Sequence, residues 1–235
     1  MRSNEFYSKI DIADEDKPRA EQYLYSKGLE QHIFIATILA NWQSEQEEHN
    51  QRKIRYSEIA TIYRYDKRIR NVLYKYISYI EEFLRARVLD KYSSDTKQDF
   101  WIPEIQRSLS NGKSLKAILD DLLFSNLLRQ VMKIPEIRDK AIFVKEHITK
   151  NKDALIELRN DVMHNKFLLL YGGFKVCYVD GVKKATLRAN IFNFANFLPS
   201  GVKEKFFTDI NNCKENRNKE NETKWDLPEW LTLTI

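Results

Sequence analysis

Between residues 66 and 92, the apolar side chains Ile69, Val72/Leu73, Tyr76, Ile80, Phe83/Leu84 and Val88 recur every three or four positions. This spacing puts them on one face of an α-helix, whereas a strand would alternate with a period of two. Asp66 is the expected N-cap. A helix this long with an unbroken apolar stripe must bury the stripe against other helices. Composition points the same way. Six glycines and five prolines in 235 residues are too few for the turns of an all-β chain. Hydrophobic residues at 43% and aromatics at 12% are enough for a core, which excludes a disordered chain. The expected class is mainly α.

Other segments follow the same logic. Residues 18–47 read as helix, with Pro18 in a first turn and a break at Gly28. Residues 44–55 are charged and read as a loop. Another loop spans 95–111. Ser114 caps a helix to about Met132, Pro135 opens one to about His147, and Asn151 or Asp153 caps one to about Leu170. Asp180-Gly181 sits between the β-prone runs Lys175–Val179 and Val182–Leu187, a strong hairpin signal that places one small β-hairpin at about 174–187. Residues 189–197 and 202–212 are helical again, separated by Pro199. We expect a single domain over 1–212 and a charged tail over 213–235 that ends in the apolar run WDLPEWLTLTI. Lys214–Lys224 is expected to be mobile.

No stretch of about 18 apolar residues exists, so no membrane span is expected, and the N-terminus lacks the apolar core of a signal peptide. Cys177 and Cys213 have no partner at metal-binding spacing and fit free thiols in a reducing cytoplasm. His32, His49, His147 and His164 are scattered, with no pair at i, i+4. No metal and no cofactor are expected.

The net charge of +5 is mild, but its distribution is not uniform. Residues 51–92 carry 11 Lys/Arg against 5 Asp/Glu, so the positive excess is local. Arg52, Lys53, Arg55, Arg64, Lys67, Arg68 and Arg70 are candidate RNA phosphate contacts; a solvated helix face is the other reading. Tyr63, Tyr65, Tyr74, Tyr76 and Tyr79 are interleaved with these charges. They suit base stacking or half-burial with a wet hydroxyl, the latter favoured for Tyr76. Glu81 and Arg85, four apart, suit an intrahelical pair or a buried polar role.

The stretch Arg159-Asn160-Asp161-Val162-Met163-His164 holds the chemistry. On a helix, five residues rotate by about 140° and rise by about 7.5 Å, so Asn160 and His164 share a face while Arg159 must swing toward it. The set suits RNA cleavage without a metal. His164 would act as general base on a ribose 2′-hydroxyl or as general acid on the leaving 5′-oxygen. Arg159 would bind the scissile phosphate, and Asn160 would orient either partner. One imidazole does not serve both proton transfers at once, so a second copy of the site would supply the other group. The opposing reading makes Arg159 an ion-pair partner and His164 a capping or core histidine.

RNDVMH matches the R-[polar]-x3-H signature of HEPN domains, helical bundles of which many are metal-independent ribonucleases. Residues 65–93 resemble the corresponding helix of bacterial Abi-like (abortive-infection) HEPN proteins, with Ile69-Arg70, Ile80-Glu81 and Leu84-Arg85 at the hallmark positions. LRANIFNFANFLPSGVKEKFF resembles that family's C-terminal helix, Leu-Pro turn and helix. The resemblance covers roughly residues 20–212. It implies an HEPN-like bundle, a homodimer with two facing motifs, RNA as substrate, and a role in phage defence or as a toxin held silent by a partner protein or RNA. It assigns catalysis to Arg159 and His164, with Asn160 in support, and it sets Glu81 and Arg85 near the motif helix. Lys166 stands where toxins paired with a nucleotidyltransferase antitoxin carry a tyrosine, so that antitoxin mechanism is not expected. Asn165 and Lys166 also replace the second histidine or aromatic run common among Abi-like members. The same fold without catalysis would serve as an RNA-binding or interaction module.

Overall fold

The computed structural model describes residues 7–8, 10–46, 53–141, 147–170, 172–214 and 229–235. In chain order they form β1 (Ile10–Asp11), α1 (Lys17–Lys27), α2 (Leu29–Gln46), β2 (Ile54–Arg55), α3 (Tyr56–Tyr92), α4 (Pro103–Ser110), α5 (Leu115–Asp121), α6 (Phe124–Met132), α7 (Pro135–Ala141), α8 (Ile148–Met163), β3 (Cys177–Val179), β4 (Val182–Lys184), α9 (Leu187–Ala195) and α10 (Ser200–Asn211). The protein is mainly α-helical with one small hairpin, β3–β4. Among the described residues, no helix is long and apolar enough to cross a membrane. The elements group into two units, residues 1–69 with 212–234, and residues 70–211 with Ile235.

In the first unit, Gly28 ends α1 with φ 86°, and its N–H donates to the Leu24 carbonyl. Only glycine adopts that conformation without cost, so the predicted break is real. Ile10 pairs with Ile54 and Asp11 with Arg55 in a parallel two-residue bridge that leaves no periodicity to detect. The long helix begins at Tyr56, well before the expected cap. Glu58 accepts the Arg55 backbone N–H at 3.0 Å, which is half of a capping box. Asp66 is instead buried within the helix. His32 is buried, and its ring stacks on Tyr63 and Tyr56 at 5.2 and 6.3 Å. Its Nδ1 bonds the Gly28 carbonyl at 2.8 Å. Near the C-terminus, Leu231 is buried and the Leu233 N–H donates to the Tyr65 hydroxyl at 3.0 Å, both within this unit.

In the second unit, α3 continues its stripe with Leu73, Ile77, Ile80, Leu84 and Val88, all buried. Tyr76 is buried rather than half-buried with a wet hydroxyl, and its hydroxyl donates to Asp209 at 2.9 Å. Burial and that neighbouring carboxylate both push its ionisation well up. The expected helix 114–132 is two helices. Ser114 caps α5 by accepting the Ala117 N–H, as predicted, but Leu122 and Leu123 are extended, with ψ of 129° and 143°. The cause is tertiary. Arg85 donates from Nε to the Leu119 carbonyl at 2.8 Å and from a terminal nitrogen to the Leu122 carbonyl at 3.2 Å, satisfying the open end of α5.

The hairpin turns at Asp180 and Gly181, with φ 51° and 73°, a type I′ signature. Its outer edge is covered by Asn151, which accepts the Tyr178 N–H at 2.8 Å and donates to the Tyr178 carbonyl at 3.1 Å. Asn151 is therefore a buried strand partner inside α8. The helix is capped at His147, whose ring stacks on Tyr178 at 3.7 Å. Ala154, Cys177, Val179 and Ala189 pack into a small core beneath the hairpin. Thr186 caps α9, and Leu198-Pro199 separates it from α10.

Candidate functional site

The motif residues occupy the last turns of α8, which stops at Met163 rather than near Leu170. The Asn165 N–H donates to the Val162 carbonyl at 3.1 Å and the Lys166 N–H to the Asp161 carbonyl at 2.9 Å. With Asn165 at φ 54°, these two bonds form a Schellman cap. Asparagine tolerates this left-handed position better than most residues. His164 is the C-cap residue, and its N–H donates to the Asn160 carbonyl at 2.9 Å. Its side chain is exposed.

Two long-range contacts from α3 hold this cap. Arg70, itself buried, donates to the Asn165 side-chain oxygen at 3.2 Å and to its carbonyl at 3.5 Å. Glu81, also buried, accepts from Arg159 Nε on one oxygen at 3.0 Å and from Arg85 on the other at 3.2 Å. Both readings of Glu81 therefore hold at once: it forms the intrahelical pair and it anchors the motif arginine. The Arg159 guanidinium also lies 5.9 Å over the Phe124 ring and donates to Asn160 Oδ1 at 3.4 Å. Asn160 thus binds Arg159 through its side chain and His164 through its carbonyl. On the far side of the cap, Lys166 pairs with the buried Asp161, whose second oxygen has no hydrogen-bond partner among the described residues.

Chemically, this helix end offers a guanidinium held by Glu81 and a solvent-facing imidazole. The first suits a phosphate, the second a proton transfer. Among the described residues, no group of three or more His, Cys, Asp or Glu is placed to hold a metal ion.

The basic candidates are placed unevenly. Arg52 lies outside the described residues. Lys53 and Lys67 are exposed. Arg55 pairs with the buried Glu58 at 3.4 Å, and Arg64 donates to Thr61 at 3.5 Å. Arg68 donates to the Cys213 carbonyl at 2.6 Å, all within the first unit. Arg70 is the one of this set that shares the second unit with the motif. The carbonyl bonds of Arg85 and the cap role of Asn165 are roles that the sequence did not reveal.

The family model of the Abi-like protein matches residues 25–231. Neither the curated proteins nor the solved structures include a match.

Proposed function

The chain belongs to the Abi-like protein family, and from that premise we propose that it is a metal-independent endoribonuclease of the HEPN type, acting in abortive infection or as a toxin. One observation carries the reading: Glu81 fixes Arg159 at 3.0 Å while His164, on the same helix end, faces solvent. A catalytic cation gains from being oriented before substrate arrives, because no reorganisation is then needed during the reaction. A catalytic histidine must be open to RNA.

In the proposed reaction, one His164 takes the proton from a ribose 2′-hydroxyl. The 2′-oxygen attacks the adjacent phosphorus, Arg159 binds the phosphate oxygens, and the P–O5′ bond breaks. A second His164, from another copy of the chain in a homodimer, protonates the leaving 5′-oxygen. The products are a 2′,3′-cyclic phosphate and a 5′-hydroxyl. Lys53 and Lys67, exposed in the first unit, suit salt-sensitive contacts to the RNA backbone. Such an enzyme must be held in check, and an inhibitory protein or RNA fits that need.

The test is cleavage of RNA by purified protein in EDTA, wild type beside Arg159→Ala and His164→Ala, with circular dichroism to verify folding. The proposal expects cleavage by wild type and at least a hundred-fold loss in each folded variant. Undiminished cleavage by the variants would sink it. Salt-dependent RNA binding without cleavage would point instead to a binding module of the same fold.

A further inference from the structure

Tyr74 lies on α3 between the two grips that this helix has on the motif. It follows Arg70, which holds Asn165, by four residues, or about 40° around the helix and 6 Å along it. It precedes Glu81, which holds Arg159, by seven residues, or about 20° and 10.5 Å. All three side chains therefore leave α3 on one face, the face whose ends bind Arg159 and Asn165. Arg70 and Glu81 are 7% and 9% exposed, whereas Tyr74 is 54% exposed. Tyr74 makes no hydrogen bond, ion pair or ring contact among the described residues. Tyr79 differs on each count. It points about 140° away, and its ring already stacks on Phe83 at 6.4 Å.

An open aromatic ring on the helix face that grips Arg159 and Asn165 has a chemical counterpart in RNA. Every base presents a flat face, and an unpaired base stacks on tyrosine without sequence preference. We propose that Tyr74 is the platform on which a nucleobase next to the scissile phosphate stacks, which makes unpaired RNA the substrate. The inference rests on the reading of Arg159 and His164 as the cleavage site and names what that site accepts.

The experiment uses single-stranded RNA carrying 2-aminopurine, whose fluorescence is quenched by stacking, with a duplex of the same sequence as control. Binding is followed with the His164→Ala chain, so that substrate survives, alone and combined with Tyr74→Ala or Tyr74→Phe. Cleavage is followed with His164 intact. Tyr74→Ala should bind the single strand about ten-fold more weakly and lose the quenching. In cleavage it should raise KM by a similar factor with kcat little changed. Tyr74→Phe should rescue both, and duplex binding should not respond.

Unaltered single-strand affinity and quenching in Tyr74→Ala would overturn the inference. So would a Tyr74→Phe chain as impaired as Tyr74→Ala, with a displaced pH profile, because the hydroxyl would then be the working part. Binding and quenching that depend on Tyr74, in a chain that never cleaves, would leave the platform standing and remove the nuclease reading. No RNA binding by the chain would remove both.

Discussion

Glu81 is the residue whose removal tells most about how the site is built. Its carboxylate is 11% exposed and serves two guanidinium groups that are 23% and 24% exposed, Arg85 at 3.2 Å and Arg159 at 3.0 Å. Glu81→Ala leaves both cations three-quarters buried without their shared anion. Breaking a fully buried ion pair by removing one partner costs about 3–5 kcal/mol. The partial exposure of both arginines, and the carbonyl bonds that Arg85 retains to Leu119 and Leu122, lower this to about 3 kcal/mol. At this chain length, each kcal/mol moves Tm by about 2–4 °C, so Tm should fall by about 6–12 °C. Glu81→Gln keeps an acceptor oxygen and loses the charge, and should fall by about half as much. The assay is thermal unfolding by circular dichroism, extended to a double-mutant cycle with Arg159→Ala. A coupling energy near 1–2 kcal/mol is expected for two groups in direct contact. A Tm change under about 2 °C in Glu81→Ala, or a coupling below about 0.5 kcal/mol, would refute the bridging role.

Two further outcomes follow from the geometry. Burial depresses the protonation of His32, so the folded chain resists taking a proton that the unfolded chain accepts. Its contribution to stability is complete above pH about 6.5 and is lost as pH falls from there through the folded-state value, at no more than about 1.4 kcal/mol per pH unit; urea unfolding between pH 5 and 8 should show this slope, and a His32→Gln chain that unfolds without it would assign it to that residue. If cleavage needs a histidine from each copy, subunit exchange between equal amounts of wild type and His164→Ala leaves about one quarter of the dimers intact and halves cleavage relative to the unexchanged pair. Activity that does not change on exchange would mean that each copy cleaves alone.

The parts of the fold that were legible in the sequence are those set by local chemistry. Gly28, Ser114 and Asp180-Gly181 each impose a backbone conformation through their own side chains or the lack of one, and each marks a boundary that exists. The misplaced boundaries are those set from a distance. Arg85 ends α5 by bonding carbonyls more than thirty positions away, and nothing near Leu122 announces it. Asn151 looked like a cap because asparagine usually is one, yet its side chain replaces a missing strand beside Tyr178. Asp66 reads as a cap for the same reason, while Glu58 holds the real start through a backbone N–H. The site divides in the same way. The R–N–x3–H spacing is visible in one dimension, and so is the Glu81–Arg85 pair. That Glu81 spans from α3 to Arg159, and that Arg70 serves the cap rather than standing free in a basic face, depends on how α3 and α8 pack.

This division bears on what one chain can do. Arg159 is held by groups within its own unit: Glu81 orients it, Arg85 shares Glu81, and the end of α5 orients Arg85. A cation placed in this way is ready at folding and needs no partner. Among the described residues, His164 is held only through the main chain, by the Asn160 carbonyl and by the cap that Arg70 secures at Asn165. Its ring is left to solvent. In-line transfer at phosphorus places the attacking 2′-oxygen and the leaving 5′-oxygen on opposite sides of the phosphate. A single imidazole cannot stand within hydrogen-bond reach of both. In the proposed reaction, a folded chain with one anchored guanidinium and one open imidazole would therefore supply the charge-stabilising half and one of the two proton transfers. A two-fold pair of identical chains supplies the second imidazole without any new residue, because each copy contributes the same patch to an isologous interface. That economy is why we place the proposed chemistry at a homodimer rather than seek a second base within the chain.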